Sequence, residues 1–73
     1  MNLQHHTIAK AALAHRYFPH LHNKHVAVNH LMRWIRRCKP LYEELLQLGY
    51  THHQRSFTPR QAERIIFFLG DPD

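Results

Sequence analysis

KHVAVNHLMRWIRRC, residues 24–38, is the stretch that decides the fold. Stepped at 100° per residue, Val28, Leu31, Ile35 and Cys38 fall on one side, joined by Ala27 and Trp34. His25, Asn29, Arg33, Arg36 and Arg37 fall on the other. That is an amphipathic helix with an apolar inner stripe and a cationic outer face. Asn23 before it is a good N-cap, because its side-chain oxygen can accept from a first-turn amide. No acidic residue interrupts the segment from Lys24 to Lys39. A solvated helix face usually mixes signs, so this one is expected to meet a polyanion.

Upstream, Ile8 to Phe18 holds four Ala and neither Gly nor Pro, which favours helix. Thr7 is the expected N-cap, and Ala9, Leu13 and Tyr17 make the stripe at i, i+4 and i+8. Pro19 ends this helix, since the residue before proline avoids the helical region. Residues 1–6 read as a polar lead. Downstream, Pro40 suits the first position of a third helix, where its missing N–H costs nothing. Leu41, Leu45 and Leu48 form its stripe, with Tyr42 and Leu46 beside it. Gly49 is a natural left-handed stop, after which Tyr50 is expected to fold back. Thr51 to Phe57 is a basic, polar loop, with Ser56 and Phe57 offering a little extended structure. Thr58-Pro59-Arg60-Gln61 is a capping box with proline in the first turn. The fourth helix, 59–69, puts Ala62, Ile65, Ile66 and Leu69 inwards, and Gly70 closes it. Asp71 to Asp73 is a short acidic tail.

The expected fold is all-α: one domain, 1–73, with helices near 8–18, 24–38, 40–48 and 59–69. The first two form a helix-turn-helix-like pair. With 73 residues the chain buries only about 60% of its unfolded surface, leaving little room for a catalytic pocket and its support. Ten Lys and Arg against five Asp and Glu give a net charge of +5, and the pI is near 10.0. That balance attracts polyanions. One cysteine excludes an internal disulfide and a multi-cysteine zinc site. No apolar run opens the sequence or approaches a membrane span, so a cytoplasmic protein is expected.

Histidines are numerous, nine in all. His20, His22 and His25, with His15 and His52-His53, are of the type that holds zinc. The paired-Cys, paired-His order of a zinc finger is missing, so no metal or other cofactor is expected. Cys38 has Arg37 and Lys39 beside it, but helical phase directs it inwards, away from nucleophilic work. Glu43 and Glu44 cannot face each other on a helix. Both glycines read as caps, so no phosphate loop exists. Neither enzyme activity nor a small-molecule substrate is expected.

Binding remains. The candidate nucleic-acid residues are Lys24, Asn29, Arg33, Arg36, Arg37, Lys39 and Arg55, since Arg reads guanine edges and Asn reads adenine. Double-stranded DNA is the expected partner, with helix 24–38 as recognition helix. A different class of function is suggested by the fourth helix, apolar nearly all round. There Phe67 and Phe68 are candidate residues for a protein partner or a homodimer.

A resemblance runs through Leu13-Ala14, Tyr17, Pro19, Arg33-Trp34-Ile35 and Leu45 to Gly49-Tyr50. It continues at Arg55, Thr58-Pro59-Arg60-Gln61 and Leu69-Gly70. Over roughly residues 7–70 the chain resembles short proteins of gut Bacteroidales grouped as domain-of-unknown-function family 4248. That pattern tends to carry an aromatic residue near Lys10 and an acidic one near Ala12, and this chain has neither. The resemblance implies no activity. More loosely, the order of elements resembles small regulators of the MerR and excisionase type, an analogy of fold that implies DNA binding.

Overall fold

The computed structural model describes residues 7–72. The polar lead over residues 1–6, and Asp73 of the tail, lie outside the described residues. Four helices and one minimal strand pair follow in order: β1 (Ile8–Ala9), α1 (Lys10–Tyr17), α2 (Lys24–Arg37), α3 (Lys39–Gln47), β2 (Ser56–Phe57) and α4 (Pro59–Leu69). The all-α expectation holds, with the short extended piece at Ser56 and Phe57 in place.

Local chemistry explains three of the four helix starts. The Asn23 side chain accepts from the amides of His25 and Val26 at 2.9 and 3.2 Å. Proline occupies the first turn of α3. Thr58 accepts from the Gln61 amide, and the Gln61 side chain accepts from the Thr58 amide, completing the capping box. Gly49 and Gly70 both have positive φ, 85° and 92°, a region that side chains rarely adopt.

The first helix begins otherwise than expected. Residues 8 and 9 are not helical and Thr7 does not cap. Ile8 pairs with Phe57 and Ala9 with Ser56 in an antiparallel ladder. The N-cap is Ala9, with extended backbone and no side-chain hydrogen bond. Starting at Lys10 also moves the buried face. Lys10, Leu13 and Ala14 point inwards, Tyr17 is half-buried, and Ala9 is exposed. At the far end α1 stops at Tyr17, and the Phe18 amide bonds the Ala14 carbonyl at 2.8 Å.

Helices α2 and α3 meet at Cys38, which ends the one and begins the other. It is half-buried against the core. The core is shared by all four helices and β2: Leu13, Leu31, Ile35, Leu41, Leu45, Phe57 and Ile65 are fully enclosed. Tyr50 folds back as expected, its amide bonding the Leu45 carbonyl and its ring stacking on Phe57 at 6.0 Å. Trp34 departs from its assigned inner position and is 42% exposed. Its ring lies edge-on to Phe18 at 4.8 Å and Tyr17 at 6.5 Å, so it covers that pair from outside. Met32, outside the expected stripe, is buried instead, and Tyr50 donates to its sulfur at 3.6 Å.

The helix ends are tied across the domain. The Tyr17 hydroxyl donates to the Gly70 carbonyl at 2.6 Å, joining α1 to the end of α4. Burial pushes that phenol up to about 12; nearby Asp71 adds to the rise and Arg16 opposes it. Arg64 of α4 donates to Glu44 of α3 at 2.6 Å.

Candidate nucleic-acid interface

Lys24, Asn29, Arg33, Arg36, Arg37, Lys39 and Arg55 are all exposed. The structure separates them into two groups. Lys24, Asn29 and Arg55 line one groove of about 590 Å³ between the start of α1, the first half of α2 and the 51–55 loop. Lys10, His25, His52 and His53 line it with them. Arg36 and Arg33 are outside that lining, though the charge of Arg36 is felt at Lys10. Arg37 lies about 120° round the helix from His25, and Lys39 begins α3, so neither joins the groove.

Arg55 reaches the groove because its backbone is pinned: the Lys10 amide donates to the Arg55 carbonyl at 2.8 Å. Gln54 holds the loop from inside. Its side chain accepts from the Thr51 amide and donates to the Ser56 carbonyl and to the Gln61 side-chain oxygen. Gln61 also donates to the Leu48 carbonyl and is 1% exposed. A residue read only as half of a capping box is thus the buried hub that joins α3, the loop and α4.

Lys10 was missed as a site residue. A lone lysine beside a run of alanines carries no signal, and its place depends on pairing with residues far along the chain. It is 9% exposed. Its ammonium lies 4.8 Å from the Tyr50 ring centre and donates to the His52 carbonyl at 3.3 Å. A cation over an aromatic face is attracted by the ring's negative centre. Burial, and then the like charge of Arg36, lower the lysine below its usual range.

Charge is divided between the two halves. Residues 1–42 contain seven Lys and Arg (Lys10, Arg16, Lys24, Arg33, Arg36, Arg37, Lys39) and no acid. Glu43, Glu44 and Glu63 belong to α3 and α4, where Glu44 and Glu63 share a second cleft with Arg60 and Arg64. Among the described residues, none that lines the groove is acidic.

On α4, Phe67 is 69% exposed, whereas Phe68 is half-buried against the core. The two rings meet edge to face at 5.4 Å, and the Arg64 guanidinium lies 4.4 Å over Phe67. The His52 and His53 rings lie tilted by 37° with their centres 4.0 Å apart. Among the described residues, no three His, Cys, Asp or Glu converge as metal ligands. No helix among them is long and apolar enough to cross a membrane.

Fold and surface define the class: a small four-helix domain with a minimal strand pair and one acid-free, cationic side. The chain matches the domain-of-unknown-function family DUF4248 over residues 4–72, and it belongs to that family. No curated protein and no solved structure matches it.

Proposed function

We propose that this is a DNA-binding domain that acts in the cytoplasm without catalysis, α2 lying in the major groove of a duplex. The observation that carries the reading is the exposed arc of α2. It bears His25, Asn29, Arg33, Arg36 and Arg37 and continues across the groove to Arg55. Fourteen helical residues span about 21 Å, enough to cross a major groove. Asn29, Arg33 and Arg36 would face base edges, and Lys24, Arg37, Lys39 and Arg55 would meet phosphates. The looser likeness to MerR- and excisionase-type regulators supports the same reading by analogy.

Fluorescence anisotropy with a mixed-sequence duplex over a salt series tests it. Affinity should fall steeply with salt as counterions are released. Weak binding independent of salt, or wild-type affinity after Arg33→Ala with Arg36→Ala, would refute it.

The exposure of Phe67 favours a second reading, in which α4 docks against another protein or a second copy. Sedimentation of the wild type and of Phe67→Asp should then show association lost in the variant. A strict monomer in both rejects the homodimer.

A further inference from the structure

We propose that the groove between the start of α1, the first half of α2 and the 51–55 loop is a seat for a phosphoryl group. Lys10, Lys24 and Arg55 supply the positive charge, Asn29 adds an amide, and Ala11 lines it beside them. The ligand chemistry is a phosphate ester, carried by a nucleic-acid strand or by a free mononucleotide. For the strand, the inference rests on the nucleic-acid reading of α2.

Three independent observations meet there. The first is size. At about 590 Å³ the groove is larger than a bare anion needs and lies within the roughly 300–1,000 Å³ of small-molecule clefts, enough for a phosphate with its sugar. The second is Lys10. A part-buried ammonium is costly unless a partner compensates it. Here it has one carbonyl at 3.3 Å and an aromatic face, and the groove lining supplies no carboxylate. An arriving phosphate oxygen provides the missing opposite charge through a charge-assisted hydrogen bond.

The third is the start of α1. Its first-turn amides lack a side-chain cap, and its first turn holds no acid. The Lys10 amide is spent on Arg55, but Ala11 lines the groove directly. A helix start stabilises an anion placed before it. The neighbouring helix shows the contrast. Asn23 closes the start of α2 with two hydrogen bonds, whereas among the described residues no N-cap side chain closes the start of α1. The part-buried cation, the uncapped helix start and exposed Lys24 and Arg55 come from three separate elements, brought together by β-strand pairing and by the packing of α2 on α1.

The test titrates the isotope-labelled full chain with inorganic phosphate, with thymidine 5′-monophosphate and with a mixed-sequence duplex, chloride holding ionic strength constant. The expected result is saturable amide shifts at Ala11, Lys24, Asn29 and Arg55 with all three. Lys24→Ala and Arg55→Ala should each weaken mononucleotide binding about tenfold, the loss expected for one charge-assisted hydrogen bond. Both residues are exposed, so both variants should fold. Lys10→Met keeps the buried stem and should weaken it at least as much. Shifts that never saturate, that chloride reproduces, or that survive all three substitutions would overturn the seat. A duplex that binds through Arg33 and Arg36 while the groove amides stay still would also overturn it, leaving the α2 reading intact. Mononucleotide binding with no duplex binding would uphold the seat and refute the α2 reading.

Discussion

Helices α1 and α4 each follow a two-residue strand, and those two strands pair antiparallel with each other. Their starts are nevertheless built by opposite means. α4 is closed by its own sequence: Thr58 and Gln61 exchange hydrogen bonds within one turn. α1 has no such residue, and its first amide is satisfied by Arg55, 45 positions away. One start is a local property and the other a tertiary one. The difference bears on binding, because a side-chain cap occupies the amides that an anion would otherwise meet. The closed start belongs to the half with the acids, and the open start faces the acid-free groove.

Phe57 is where the comparison breaks most easily. It is fully buried, pairs with Ile8, stacks on Tyr50 and directly precedes the Thr58 cap. Phe57→Ala should cost about 3–5 kcal/mol, through lost burial and the cavity left behind. Small domains hold only about 5–15 kcal/mol in total, so thermal denaturation followed by circular dichroism should show a greatly lowered or absent transition. A drop of only a few degrees would mean that the ladder region contributes little to stability.

Gln61→Ala sharpens the contrast at an intermediate cost of about 2 kcal/mol, since it strands the Thr58 amide, the Leu48 carbonyl and the Gln54 side chain. Its effect should concentrate on the α4 side. Hydrogen exchange should quicken in the first turn of α4 and the 51–55 loop, while the amides at the centre of α2 stay protected. Equal acceleration throughout would show that the hub acts globally and that the two starts are not separable.

The same contrast explains what the sequence made readable. Asn23, Pro40, Thr58 with Gln61, and the two glycines act within one turn, so the bounds of α2, α3 and α4 can be read from neighbours. The phase of α2 was readable too, because fourteen residues sample every direction several times. The α1 start was not, since its ladder joins residues some 48 positions apart and two residues cannot show a strand period. That one shift moved the buried face of α1 and hid Lys10. The exposed cations were readable as a helical face. Their division into a groove set, Lys24, Asn29 and Arg55, and an outlying set, Arg33, Arg36, Arg37 and Lys39, depends on where the 51–55 loop lies. Trp34 misled for a different reason: a large ring at the edge of a stripe can cover the core while staying half in water.

The smallest expected effect on stability is the most discriminating. Ala9 already has the extended backbone of an N-cap, φ −61° and ψ 142°, and is exposed. Ala9→Asp gives α1 the side-chain acceptor that α4 has in Thr58, and it also puts a negative charge beside the helix start. Both effects stabilise, by about 0.5–1 kcal/mol together. For a domain of this size that raises the melting temperature by roughly 2–8 °C. The same carboxylate occupies the open amides and adds the groove's first negative charge, so phosphate and duplex should bind more weakly. Stability and affinity are thus predicted to move in opposite directions on one substitution. A rise in melting temperature with unchanged binding would show that the open start of α1 takes no part in recognition. A fall in melting temperature would show that the Ile8–Ala9 pairing leaves no room for a cap, so that the two helix starts differ by steric demand rather than by an empty position.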